Sequence, residues 1–371
     1  MKICIDLTAL ADNLSGIERY AACISLEMIK QHEEQYILVF KQSISPLFID
    51  ICKQKNVEAI VLPNCNKLLF NQIRLPQALH KIKADWYLFM AFPVPILSFK
   101  KNMVETIHDI TAWDCPETMN GMSKWYFKFS HLVAVKKCKA IITISEFSKK
   151  RIQDQLNYPK EKTWLIYCGI DQSRFCVDSN KFDQVREKYG LPEKYYLTLS
   201  TLEPRKNMKI LISAYEQLLQ EGKKIPPLVL AGRKGWKMEK LLSEIDDKVK
   251  GNLYFTGFID DEDLPEVYGM ASFFIFPSLY EGFGIPPLEA MACRTPVLSS
   301  NATSLPEVCG DAPIYFESNS VEDLKGKIVE ICAIAESKRK ELVNLGVSQV
   351  SKYKWENEAN KLFERLIDST R

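Results

Sequence analysis

Between residues 273 and 300 the chain reads FFIFPSLYEGFGIPPLEAMACRTPVLSS, and few architectures accommodate that order. Phe273, Phe274, Ile275 and Phe276 come without a polar alternate, as in a strand covered on both faces. A loop punctuated by Gly282 and Gly284 follows. Pro286 and Pro287 then predict the start of a helix, because proline is tolerated in a first helical turn and not deeper. Pro296 ends that helix, and Val297 and Leu298 open a second apolar strand. Strand, glycine loop, helix, strand is the repeating unit of a parallel α/β sheet. Two carboxylates flank the loop. Glu281 precedes the glycines, and Glu289 falls in the first turn of the expected helix, with seven residues between them.

The same alternation runs along the rest of the chain. Short apolar segments at 2–7, 36–40, 57–62, 86–90, 103–107, 140–144 and 164–167 predict strands in the first half, and those at 195–199, 228–231 and 253–255 in the second. Helical spacing of apolar residues covers 17–30, 70–82, 124–139, 146–156 and 208–220, with Ser145 as the expected N-cap of the fourth. At 371 residues the chain exceeds one ordinary core. Two doubly wound domains are expected, at 1–175 and 176–371, with the linker in the polar segment 173–188. The closing amphipathic helix, about 353–367, is a candidate to pack back on the first domain. In open α/β sheets ligands lie outside the carboxyl ends of the strands. The loops around Gly16, His108, Arg205 and Glu281 are therefore expected to face a cleft between the domains.

Several function classes fall away. No apolar run reaches 18 residues, so no transmembrane helix is expected. The first residues enter a strand at once, without a signal-peptide core. Eleven cysteines without a CxxC suggest reduced thiols and a cytoplasmic chain. Residues 1–180 hold 23 Lys and Arg against 18 Asp and Glu, and the remainder 26 against 29. That asymmetry is too small for nucleic acid. The acidic run 260–263 reads as a helix start rather than a metal site, and Asn301-Ala302-Thr303 as a chance sequon. Lysines at 124, 128, 136, 137 and 139 beside Trp125, Tyr126, Phe127 and Phe129 read either as a solvated helix face or as a contact with an anionic membrane surface.

Taken together, the loops of the second half suit one kind of ligand. Arg205 and Lys206 are adjacent cations, and the glycines at 232, 282 and 284 let backbone approach a ligand closely. Cations and a helix N-terminus bind phosphates, and carboxylates accept from paired hydroxyls. Diphosphate donors beside diol acceptors suit a nucleotide-sugar. No GxGxxG is present, which disfavours a dinucleotide cofactor.

Glu281-x7-Glu289, set in PSLYEGFGIPPLEAMA, resembles the signature of retaining GT-B glycosyltransferases of family GT4. Glu203-Pro204-Arg205-Lys206-Asn207 is similar to that family's diphosphate loop. Ser15-Gly16-Ile17, Ile107-His108-Asp109, the run 144–149 and Gly169-Ile170-Asp171 are similar to its first domain. The resemblance implies two Rossmann-like domains and no bound metal or other cofactor, the nucleotide-sugar being the donor substrate. It implies that Glu281 and His108 contact the donor sugar and that Arg205 and Lys206 jointly neutralise the leaving diphosphate. Gly282, Phe283, Gly284 and Ile285 would bind the donor, with Gly16 and Gly232, and Glu289 would accept from the ribose. One departure is Ser200-Thr201, where many members carry a further basic residue. The expected activity is transfer of a hexose to a saccharide or lipid-linked acceptor in bacterial surface polysaccharide synthesis. GDP-mannose is the donor leaned towards, with rhamnose, glucose and modified hexoses open. The location expected is the cytoplasm, with peripheral contact at the inner face of the cell membrane through 124–139 as a further expectation. A nucleotide-sugar 2-epimerase and a non-catalytic sugar-nucleotide binding protein are the rival readings.

Overall fold

The computed structural model describes residues 1–10, 14, 16–66, 69–200, 203–232 and 247–370. Of the residues singled out above, Ser15 and Thr201 lie outside that set. The chain divides into two units, Met1–Gly169 with Lys354–Arg371, and Ile170–Tyr353. The first break therefore falls at 169/170 rather than at 175/176, and the closing helix Trp355–Asp368 belongs to the first unit.

The first unit is built on seven parallel strands. They are β1 (Lys2–Asp6), β2 (Gln35–Lys41), β3 (Val57–Leu62), β4 (Trp86–Phe89), β5 (Met103–Thr106), β6 (Ala140–Thr143) and β7 (Thr163–Leu165), in the order β3-β2-β1-β4-β5-β6-β7. Strands β4, β5 and β6 are buried along their whole length, as parallel strands covered on both faces must be. The order reverses between β1 and β4, and helix Gly16–Gln31 follows β1. Helix Trp355–Asp368 packs on Gly16–Gln31. Trp355 meets Tyr20 edge-on at 6.0 Å, and Phe363 stacks on His32 at 3.6 Å. Gly169 makes this possible, because a Cβ there would stand 2.5 Å from the Trp355 backbone nitrogen.

The second unit holds six parallel strands, β8 (Tyr196–Leu199), β9 (Leu228–Ala231), β10 (Leu253–Gly257), β11 (Phe273–Phe276), β12 (Val297–Ser300) and β13 (Ile314–Phe316), in the order β10-β9-β8-β11-β12-β13. Phe273 pairs with Tyr196 of β8 and Phe274 with Val297 of β12, so the strand that opens the 273–300 stretch lies inside the sheet. Tyr196, Phe273, Ile275 and Leu298 share a buried core with helices Met208–Gln220 and Val321–Cys332.

Several expectations change. Strand β13 and helices Val321–Cys332 and Glu336–Val350 fill the stretch between β12 and the closing helix, for which no element is named above. The segment expected as a linker instead carries helix Phe182–Tyr189, with Val185 buried and Gly190 closing it at φ 62°. Its Lys188 holds Asp260 at 2.9 Å and Asp263 at 2.6 Å, and Arg174 holds Asp261 at 2.7 Å. The acidic run is thus tied to cations within its own unit. Among the described residues no group of three or more His, Cys, Asp or Glu is arranged to hold a metal ion, and no helix is long and apolar enough to cross a membrane.

Candidate active site

Strand β11 ends at Phe276, and the chain turns at once to bring Glu281 against the loop that follows β8. The Glu281 carboxylate accepts from the Lys206 ammonium at 2.5 Å and the Ser278 hydroxyl at 2.5 Å on Oε1. Arg205 approaches Oε2 at 3.4 Å and also donates to the Tyr280 carbonyl at 3.1 Å. Both members of the Glu281–Lys206 pair are buried, at 7% and 8% exposure. Burial would raise the Glu281 carboxyl. Lys206, Arg205 and Ser278 outweigh that penalty and hold it below the usual carboxylate range. Burial pushes the Lys206 ammonium below its ordinary value, against the pull of Glu281. Lys206 also lies 5.2 Å from the Phe276 ring centroid.

The backbone of Glu281 is clamped as firmly as its side chain. Its N–H donates to Thr303 Oγ1 at 3.0 Å, and its carbonyl accepts from Thr303 and Ser304 hydroxyls at 3.1 and 3.0 Å. Ser304 also donates to the Phe283 carbonyl at 2.9 Å. The Phe283 ring turns inward onto Tyr353 at 5.3 Å, leaving its backbone as the part suited to a ligand. Gly284, at φ 112°, forms the N-cap of helix Ile285–Ala292, and a Cβ there would meet Leu305 at 2.6 Å. Because the helix starts at Ile285, Glu289 sits in its second turn and not its first. Its carboxylate meets a side chain instead: the Tyr268 hydroxyl donates to Oε2 at 2.9 Å. Gly232 closes β9 at φ 126°, where a Cβ would stand 2.1 Å from the Ser200 carbonyl oxygen.

His108 and Gly16 lie in the first unit. Gly16 opens helix Gly16–Gln31 and is exposed. His108 follows β5, half-buried, with Nε2 2.8 Å from the Met90 carbonyl and its ring edge-on to Tyr20 at 5.1 Å. A carbonyl can only accept, so Nε2 carries the proton. Burial lowers the imidazole pKa, against the pull of Met90 and Asp109. The neutral ring then offers Nδ1 as an acceptor for a hydroxyl. Asp109 is spent on its own turn, accepting from the Thr111 N–H and hydroxyl at 2.8 and 2.6 Å.

Residues 181–345 match the family described as glycosyl transferases group 1, and residues 14–174 match glycosyltransferase family 4. O-antigen chain mannosyltransferase B of Escherichia coli is 32% identical over 96% of this chain and 97% of that one. The chain belongs to the group 1 glycosyltransferases. A second relative, the serotype-specific mannosyltransferase WbdA of Escherichia coli, is 33% identical over 66% of this chain and 31% of its own length. Among solved structures, Anabaena HepE in complex with UDP and glucose aligns at a TM-score of 0.72 and 18% identity, covering 99% of this chain and all of that one. The GT-B fold class expected from the sequence holds.

Within this glycosyltransferase the structure brings Arg205, Lys206 and Glu281 into one cluster. Four supporting residues escape a reading of the sequence. Ser278 stands three residues before Glu281 and could have been found by spacing. Thr303 and Ser304 come to Glu281 only through the β12 connection. Tyr268 is 21 residues from Glu289 and reads as one more apolar helix position.

Proposed function

We propose that this glycosyltransferase moves mannose from GDP-mannose, with retention, to a saccharide or lipid-linked acceptor in bacterial surface polysaccharide synthesis. The observation that carries the proposal is the buried Arg205–Lys206–Glu281 cluster on the Glu-x7-Glu frame. Mannose and polysaccharide synthesis are supported by the relatives named as O-antigen and serotype-specific mannosyltransferases. A nucleoside diphosphate donor is supported by HepE, whose complex contains UDP and glucose.

The cluster suggests how the charge moves. An arriving diphosphate competes with Glu281 for Lys206 and Arg205, and the carboxylate they release is turned to the sugar hydroxyls. As the glycosidic bond breaks, negative charge grows on the leaving diphosphate, and the two cations stabilise it. Once turned to the sugar hydroxyls, the carboxylate accepts from them and is not directed at the anomeric carbon. Retention is therefore assigned to front-face attack, the leaving phosphate taking the acceptor's proton. His108 Nδ1 accepts from a sugar hydroxyl, Gly16 and Gly232 allow close approach of the donor phosphates, and Glu289, set by Tyr268, accepts from the ribose. Arg205 and Lys206 supply the charge that a divalent cation would, so no resident metal is part of the proposal. The reaction takes place in the cytoplasm, with peripheral contact at the inner face of the membrane.

Donor hydrolysis and transfer, measured across GDP-mannose, UDP-glucose and dTDP-rhamnose with and without acceptor lipid, test this. Turnover is expected with GDP-mannose and retained configuration in the product. Turnover confined to another donor would overturn the sugar assignment, and epimerisation at C2 would overturn the reaction.

A further inference from the structure

Strand β5 carries a carboxyl among apolar neighbours. Met103, Glu105 and Ile107 alternate onto one face of the sheet, and Met103 and Ile107 belong to a buried core with Phe70, Val94 and Ile141. Glu105 itself is 1% exposed, paired with Phe89 of β4 and Ile141 of β6. Among the described residues it forms no ion pair. Its side chain is spent on backbone instead: Oε2 accepts from the Val94 N–H at 2.7 Å. Burial pushes the carboxyl up to about 8, against the pull of that N–H, so near neutrality it is a protonated acid. Leucine would fill similar space without burying a carboxyl, so packing alone does not explain the residue.

What Glu105 holds is the connection from β4 to β5. Pro93 and Pro95 lack an N–H and have a fixed φ, so Val94 offers the one donor of a stiff triplet. Two more side chains pin the same connection further on. Gln72 accepts from the Ile96 N–H at 2.9 Å, and Lys137 donates to the Ile96 and Ser98 carbonyls. Four residues before Val94, the connection supplies the Met90 carbonyl, which lies 2.8 Å from His108 Nε2. Of the three anchors, Glu105 stands nearest in the chain to that carbonyl. The segment 90–94 is thus held at one end by Glu105 and at the other holds the imidazole. If Val94 slips, Met90 no longer takes the Nε2 proton. The ring is then free to adopt the other tautomer, in which Nδ1 is a donor.

We propose that Glu105 is a positioning residue for His108: by accepting from the Val94 N–H it fixes the Met90 carbonyl, and with it the tautomer that leaves Nδ1 an acceptor. The use of Nδ1 for a sugar hydroxyl rests on the reading above, while the tautomer itself does not.

Nitrogen NMR of the full chain, labelled with 15N-histidine, reads the tautomer. The chain has four histidines, and loss of one signal in His108→Ala assigns that of His108. Wild type and Glu105→Gln, whose amide keeps a neutral acceptor, are expected in the Nε2–H form. Glu105→Leu should show both tautomers, with Glu105→Met as the more pliant replacement if leucine unfolds the chain. For kcat/KM with GDP-mannose, Glu105→Gln should match wild type and Glu105→Leu should fall about fivefold, as for one neutral hydrogen bond. In a His108→Ala background the leucine substitution should lower it no further. A Glu105 that only supports the fold gives equal losses in both backgrounds and an unchanged His108 spectrum, and either result would overturn the proposal. A glutamine variant that behaves like the leucine one would overturn it too. Wild-type turnover in His108→Ala, with a tautomer that still answers to Glu105, would uphold the positioning and overturn the sugar contact.

Discussion

Replacing Lys206 with alanine separates the two roles assigned to the buried cluster. In the intact chain Glu281 accepts from Lys206 and Ser278 at 2.5 Å each, while Arg205 stands off at 3.4 Å. Removing the ammonium leaves a 7% exposed carboxylate with one distant cation and one hydroxyl. Breaking a buried ion pair from one side typically destabilises by about 3–5 kcal/mol. The value expected here is at the low end, about 3 kcal/mol, because Arg205 and Ser278 remain. The catalytic effect is separate. Losing one preorganised group that stabilises developing charge raises the barrier by about 2.7–4 kcal/mol, or roughly 100- to 1,000-fold in turnover. The sign with pH follows from the carboxyl. In the intact protein it lies below the usual carboxylate range, so its stabilisation is present above the unfolded value and is lost as pH falls through the folded one. Without Lys206 the burial penalty gains ground, the folded value rises, and acid destabilisation begins at higher pH. The assay is kcat/KM for donor turnover beside thermal unfolding between pH 4 and 8. Adding Glu281→Gln to Lys206→Ala should restore much of the stability and none of the turnover. Near-normal turnover in the single variant would refute the leaving-group role, and an unchanged acid limb would refute the electrostatic account of Glu281.

Three further outcomes are expected. Tyr268→Phe removes the hydroxyl that holds Glu289, so nucleotide inhibition constants should weaken by about 1 kcal/mol, roughly fivefold, with kcat nearly unchanged. Gly232→Ala forces a Cβ onto the Ser200 carbonyl at a positive φ, and should lower the unfolding temperature and nucleotide affinity together, with a destabilisation above about 2 kcal/mol. Dialysis against EDTA should leave donor turnover unchanged, and a loss restored by a divalent cation would show that Arg205 and Lys206 do not carry the leaving group alone.

The parts of this molecule that are local in sequence were legible in it. Ser145 caps helix Glu146–Leu156 as its position before the apolar spacing implies, accepting from the Ser148 N–H at 3.0 Å. Phe273–Phe276 is an interior strand because an unbroken apolar run can only be covered on both faces. What escaped was set by tertiary partners. The helix after Gly284 begins one residue ahead of the prolines, which moved Glu289 out of the first turn. The polar segment 173–188 looked like a linker because it is charged and has few apolar anchors, yet its Arg174 and Lys188 hold the acidic run 260–263. The lysines and aromatics of helix Gly121–Lys137 were visible as a composition, while the side on which the aromatics stand depended on where the sheet lies.

The clamp on Glu281 has a consequence for how such sites diversify. The backbone of the acidic loop is shaped by two hydroxyls that belong to the next loop, after β12. A graft that exchanged only the residues around Glu281 for those of a related enzyme would separate the acidic loop from its mould. The transplantable cassette runs from Ser278 through Ser304, strand and helix included, and attempts to re-tune sugar preference should move it whole.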